Sequence, residues 1–231
     1  MRLLKAKEIS CRAQQVTENG ISLLLYVTSR AGQNLLDEKY GELGWQDSYR
    51  EIGGELFCRI SAWDEAKHEW VSKEDVGTES NMEKTKGRAS DAFKRACVKH
   101  GIARELYSAP YIFIPASVCK IRKKQGQNGR DIFYTTDKFR VNEITYTATN
   151  EIDALTIVNQ DLDIVFKKYP AGKIDNIKYK VLLDLMGKAQ VEAESILEIC
   201  NISDLSDMDI NEYGPITRKL QATMEARQKR E

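Results

Sequence analysis

The chain has 231 residues, 42% of them hydrophobic and 30% charged, with 35 Lys and Arg balanced by 35 Asp and Glu. That length supports one good core and a small appended module, and no apolar run approaches the roughly 20 residues that cross a bilayer. Zero net charge taken alone argues against a nucleic-acid binder, but residues 181–213 hold eight acids against one lysine, so the remainder carries a net +7. Five scattered cysteines (Cys11, Cys58, Cys97, Cys119, Cys200) lack CxxC spacing. They point to reduced thiols in a cytoplasmic compartment. The opening MRLLKAKEISCRAQ has no uninterrupted apolar stretch, so no signal peptide is expected.

In chain order, residues 4–16 read as a short helix with Leu4, Ile9, Ala13 and Val16 inward. Asn19-Gly20 is a turn signal, and ISLLLYVT (21–28) is a dense strand run. Arg30 leads into a second short helix that turns Leu35, Leu36 and Tyr40 inward; Gly41 and Gly44 end it, and Trp45 starts a strand. Gly53-Gly54 between SYREI and ELFCRISAW predicts a hairpin, with Leu56, Cys58 and Ile60 alternating as in a half-buried strand. Glu69, Trp70 and Val71 give a further strand.

Residues 80–107 are the most distinctive stretch. Ser80 with Glu83 reads as a capping box, and Gly101 as the helix stop. At roughly 100° per residue, Ala89, Ala92, Phe93, Ala96 and Cys97 share one arc. Lys84, Arg88, Arg95 and Lys99 share the opposite arc, with Asp91 among them and Lys94 at its edge. Such a helix presses a small-residue face closely against a sheet and presents a basic ridge on its other side.

Beyond Pro110, YIFIPASVCKI (111–121) is apolar and β-like, and residues 120–130 form a basic loop with the turn dipeptide Asn128-Gly129. DIFYTT, KFRVNEITYT and EIDALTIVN follow as strands, either extending the sheet or packing on it. A linker-like stretch then leads into about three helices between 175 and 227, punctuated by Gly187 and Asn201. The expected fold is α+β: a curved antiparallel sheet with a long basic helix packed across it, plus a small C-terminal helical module. Its divisions are a domain over 1–159 (motif-bearing core 1–114, β-rich extension 115–159), a linker over 160–174 and the module over 175–231.

No enzyme constellation emerges. GxxxxGK[ST] and post-strand GxGxxG segments are missing, and His68 and His100 have no partners at ligand spacing. No catalytic residue, metal or cofactor is therefore expected. Asp37 and Glu38 are adjacent acids of the kind a magnesium-dependent nuclease uses, although neighbours on a helix do not converge on one ion. The basic constellation is the stronger signal, because single strands are bound by a positive groove that follows the phosphates. Annealing adds a requirement: phosphates must be held while the Watson–Crick edges stay open to a complementary strand.

KGRASDAFKRACVKHGIARELY (86–107) resembles the signature of the single-strand annealing proteins related to the eukaryotic recombination mediator Rad-fifty-two (the Rad-twenty-two type), closest to their phage and prophage recombinases. YVTSRAGQNLLDEKYGELGW (26–45) resembles the same family's strand–Arg–helix–Gly–Trp segment. The resemblance covers roughly residues 4–114 and thins out to about 159. It implies ATP-independent single-stranded DNA binding and annealing in recombination and break repair, by a ring or open helical homo-oligomer. Arg30 matches the arginine after the first strand, Lys94 and Arg95 the basic pair of the helix, and Lys86 a lysine one to two turns earlier. Lys84, Arg88 and Lys99 complete the expected DNA-binding face. Lys120, Arg122, Lys123, Lys124 and Arg130 are candidates for a secondary DNA contact, the alternative being a soluble hairpin tip. For Arg30 the structural alternative is a salt bridge to Asp37 or Asp91, and Trp45 and Tyr107 are expected in the core. The segment from Arg30 to Gly41 is one residue longer than in the eukaryotic relatives. The family's GIGR reads GIAR here, with Ala103 expected to stay helical. The C-terminal module is the expected contact for a single-strand binding protein or an exonuclease. The rival readings are a metal-dependent nuclease of the same pathway, or an adaptor that binds single-strand-coated filaments through its C-terminal helices.

Overall fold

The computed structural model describes residues 1–78, 84–126, 129 and 131–228. Residues 10–26 fold as a hairpin, β1 (Ser10–Thr17) and β2 (Gly20–Tyr26), turning at Glu18 and Asn19. The helix expected over 4–16 is thus reduced to one 3-10 turn, Ala6–Glu8, followed by a strand. The Ala-Gln-Gln sequence of β1 favours helix, but adjacent β2 buries Ile21, Leu23 and Leu25 on one face and pairs with β1 along its length, broken only by a bulge at Gln14, which overrides local propensity.

From β2 the chain makes α1 (Ser29–Tyr40), then a meander of β3 (Trp45–Ile52), β4 (Glu55–Asp64) and β5 (Glu69–Val76), and the long helix α2 (Lys84–Lys99). Gly53 and Gly54, at φ 59° and 82°, make the tight β3–β4 turn. The proposed capping residues Ser80 and Glu83 lie outside the described residues. At the other end α2 closes as expected: Gly101 sits at φ 91°, its N–H donates to Val98 O at 3.0 Å, and Ile102 N–H donates to Cys97 O at 3.1 Å. The Arg104 guanidinium also donates to Val98 O and Lys99 O, where a cation is favoured by the helix dipole. Ala103 departs from expectation. It is left-handed, at φ 60° and ψ 23°, because the chain must reverse there to enter the 3-10 turn Arg104–Ser108.

The remaining strands are β6 (Ile112–Pro115), β7 (Ile121–Gln125), β8 (Asp131–Thr135), β9 (Arg140–Tyr146), β10 (Ile152–Val158) and β11 (Ile164–Lys168). Six strands form one antiparallel sheet in the order β11-β10-β9-β1-β2-β6, curved until β11 lies beside β6 and the sheet is nearly closed. β3-β4-β5 form a second sheet and β7-β8 a separate hairpin, so the expected single sheet is divided. Two further boundaries move. Residues 121–125, read as loop, are a strand, and the 160–174 linker contains β11, hydrogen-bonded to β10 with Val165 buried.

One core runs from Leu4 to Val165 and includes Ile21, Leu35, Leu36, Ile60, Phe93 and Ile157. The 115–159 extension is therefore an integral part of the body, its strands β9 and β10 lengthening the first sheet. α2 lies on β4 and β5 with Ala92, Phe93, Ala96 and Cys97 buried, as its small-residue arc predicts. A second core, among them Ile174, Leu182, Met186, Ile196, Met208 and Leu220, holds α3 (Asn176–Ala189), α4 (Ala193–Cys200) and α5 (Ile210–Gln228) together. Asn201 ends α4 in the left-handed conformation as expected; Gly187 lies inside α3, and Gln190 at φ 50° ends that helix instead. Among the described residues no helix is long and apolar enough to cross a membrane.

Candidate nucleic-acid interface

The two stretches 26–45 and 86–107 pack on each other. Ser29 Oγ lies 2.7 Å from Ser90 Oγ, and the Trp45 ring is 6.1 Å from that of Phe93. Gly32 lets α1 approach α2 so closely that a Cβ there would lie 3.2 Å from both Cys97 Sγ and Phe93 Cε1. Trp45, expected in the core, is half-buried and packs against it, its Nε1–H donating to Asp37 Oδ1 at 2.6 Å. Arg2 donates to Glu38, so Asp37 and Glu38 serve different partners and do not converge on one ion. Arg2 also grips Glu8, whose carboxyl its guanidinium holds down to about 2.

The basic face of α2 divides in two. Arg88 donates to Gly54 O and, at 2.9 Å, to Glu55. Arg95 Nε lies 3.7 Å and Lys99 Nζ 3.6 Å from the Asp75 carboxylate, and Lys99 also donates to Glu74 O at 2.7 Å. The expected free ridge is thus tied to the acidic residues of β4 and β5. This pairing could not be read from the helix alone, because its partners lie on other strands. Arg95 keeps only a contact beyond hydrogen-bond length, and the residue also lines the groove described next. The side chains of Lys84 and Lys86 lie outside the described residues.

Lys94 faces the other way. Its Nζ lies 5.9 Å from the centre of the Tyr26 ring, at the end of β2. The Arg12 guanidinium on β1 also lies 5.9 Å from the centre of that ring. Together they border a groove of about 290 Å³ between α2 and the outer face of β1 and β2, floored by Leu24 and Tyr26 and edged by Val98, Leu106 and Tyr107. Tyr107, expected in the core, is 75% exposed. The left-handed turn at Ala103 leads the chain into the 3-10 turn that carries it to the groove wall. Arg12 and Tyr26 also line a neighbouring cavity of about 410 Å³ with Lys138 and Arg140. Here β1 and β9 pair only through Ser10 and Arg140, leaving the seam open. Lys94, Arg12, Arg140 and Lys138 thus form a basic band across three elements. Asp91 and Asp137 also border it, but Asp91 accepts from the Thr78 N–H and hydroxyl, and Asp137 from the Lys120 N–H.

Arg30 is exposed at the start of α1 and makes no ion pair among the described residues; Asp37 and Asp91, its proposed partners, are engaged elsewhere. Lys120, Arg122, Lys123 and Lys124 line or adjoin β7 and are exposed, with Lys123 paired to Asp131 at 3.0 Å and Lys124 over the Tyr134 ring at 5.7 Å. Arg130 and Asn128 lie outside the described residues. Arg12, Lys138 and Arg140 escaped the sequence reading. Arg12 fell in a segment read as helix, and its alternation with Ser10 on the strand face would have been the signal. Among the described residues no three His, Cys, Asp or Glu side chains gather as metal ligands would. His100 is buried, its ring hydrogen-bonded at 3.0 Å to Ile60 O, and burial pushes its pKa down. No family model, curated protein or solved structure shows significant similarity to this chain.

Proposed function

We propose that this protein binds single-stranded DNA in the groove between α2 and the outer face of β1–β2, and anneals complementary strands without ATP. The carrying observation is that Lys94 and Arg12, from elements far apart in sequence, approach one ring, Tyr26, in an open groove lined also by Leu24, Val98 and Leu106. Two cations beside an aromatic face suit a phosphate backbone with a stacked base, the recognition mode of strand binders without sequence preference. Stacking uses the face of a base and leaves its Watson–Crick edge open for a second strand. The resemblance of residues 26–45 and 86–107 to the Rad-fifty-two-type annealing proteins supports this reading, since both stretches line the groove.

Annealing of this kind is catalysis by binding: strands are concentrated, extended and screened from mutual repulsion, and no covalent bond changes. We extend the reading to a ring or helical homo-oligomer in which one subunit's groove continues into the next. The acidic helical module then contacts a protein partner of the recombination pathway.

The test mixes two complementary labelled oligonucleotides with the protein, without nucleotide or metal. Duplex should form faster than in its absence, and strand affinity should fall with salt at about −0.7 in log–log slope per phosphate contacted. Failure to bind naked strands, or magnesium-dependent cleavage of them, overturns the reading.

A further inference from the structure

On the edge strand β6 the structure places two aromatic rings that the fold does not cover. Phe113 lies in β6 and Tyr111 two residues before it, so both side chains stand on the same face. Their ring centres are 6.4 Å apart and their planes lie 12° from parallel. Phe113 is 39% exposed and Tyr111 76%.

Phe113 has a structural reason to be there. Its ring lies over Gly20, where a Cβ would come within 2.4 Å of its Cζ, so the aromatic covers the glycine and is held in place by it. Tyr111 has none: among the described residues its hydroxyl makes no hydrogen bond, its ring pairs with that of Phe113, and three quarters of the residue is exposed. An exposed aromatic costs solvation and favours aggregation at a sheet edge, so its placement calls for an occupant.

The register identifies the face. Ile112 pairs with Leu23 and Phe113 with Ser22, which sets Tyr111 beside Leu24; Arg12 pairs with Leu24 from the other side. Tyr111, Leu24 and Arg12 therefore form one row across β6, β2 and β1, and Leu24 and Arg12 already line the groove. Two strand spacings, about 10 Å, separate the tyrosine from the arginine. That is the scale of one nucleotide from base to phosphate.

We propose that Tyr111, seated beside Phe113, is a base-stacking platform on which a single strand leaving the Lys94–Arg12 groove lays one nucleobase by its face. The proposal rests on the strand-binding reading and extends its path across the edge strand. The occupant is a nucleic-acid base rather than an apolar protein surface, because the row that carries the ring ends in a cation suited to the same nucleotide's phosphate. As at Tyr26, contact through the base face leaves the pairing edge open.

The test compares the full chain with Tyr111→Ala and Tyr111→Trp, using a thymidine oligonucleotide and an abasic strand of equal length. Tyr111→Ala should weaken binding of the base-bearing strand by roughly 5- to 100-fold and leave abasic affinity unchanged, and Tyr111→Trp should restore it. Equal affinity of Tyr111→Ala and wild type for the thymidine strand overturns the platform while leaving the groove standing. Equal weakening toward both strands also overturns it, as does a loss of oligomer mass in light scattering without loss of base-dependent affinity, which would assign the ring to a contact between copies. Wild-type protein that binds neither strand overturns the annealing reading itself, and the platform with it.

Discussion

Lys94 and Arg88 sit on one helix and differ in everything that decides their use. Arg88 is bonded to Gly54 O and Glu55, whereas Lys94 faces Tyr26 across the groove with no carboxylate partner among the described residues. Lys94→Glu should therefore leave the melting temperature nearly unchanged, within about 0.5 kcal/mol. It should weaken single-strand binding by about 1–3 kcal/mol, the scale of a charge-assisted hydrogen bond lost to a phosphate. Arg88→Ala should do the reverse, costing about 1 kcal/mol of stability and changing affinity little. Thermal melts beside fluorescence-anisotropy titrations separate the two. If Arg88→Ala abolishes binding while folding normally, the division of the helix face is wrong. His100 offers a second check at this scale. Burial lowers its pKa below the ordinary 6.5, so the fold keeps it neutral while the unfolded chain takes up a proton. Stability should be constant above pH 6.5 and fall as the pH drops below it. Chemical denaturation at pH 7 and 5.5 should show that slope, and His100→Gln, which keeps a donor for Ile60 O, should flatten it.

Among the elements, α2 is positioned by small residues on both sides. Gly77, at the exit of β5, brings the chain so near α2 that a Cβ would lie 2.2 Å from Arg88 O and 2.8 Å from Ala92 N. These are backbone atoms of a packed helix and cannot rotate away. Gly77→Ala should push α2 from the sheet and destabilise the protein by about 1–3 kcal/mol, as overpacking does. Because the groove wall is α2 itself, strand affinity should fall with it even though Gly77 touches no ligand. An unchanged urea midpoint would show that the loop absorbs the methyl group. The small-residue arc of α2 and the Gly101 stop were legible from spacing, since both are properties of one helix. The strand nature of β1 was not, because its partner β2 supplies the ladder that its own residues do not favour. Ala103 was misjudged for a related reason: its left-handed conformation is set by where Arg104–Ser108 must go, not by its own preference.

For the whole molecule, the separation of the two cores predicts what can be removed. Ala171 N–H still bonds to Asp153 of the body, whereas Ile210 N–H donates to Gly172 O and Ile174 N–H to Met208 O within the helical module. A fragment of residues 1–172 should fold cooperatively. The cut removes eleven acids and nine bases, which takes the net charge from 0 to +2, so the fragment should bind single strands at least as tightly as the full chain, with the larger difference at low salt. Circular dichroism melts and titrations at two salt concentrations measure both. A fragment that folds but cannot bind would place the module in the DNA site.

What the sequence determined by itself is local or compositional: the α+β class, the glycine turn at 53–54, the alanine face of α2, the three C-terminal helices, and the segregation of acid from base. Each follows from periodicity or charge within one stretch, which folding does not alter. What only the tertiary structure decided is which residues meet. Asp75 and Glu55 neutralise half of the basic helix; Arg12 arrives at Tyr26 by strand pairing; β11 curls round to β6; and Tyr107 and Tyr111 are turned out to solvent. Those outcomes depend on contacts between positions tens of residues apart. Charge pairing and burial act through distance in space, and a single sequence records only distance along the chain.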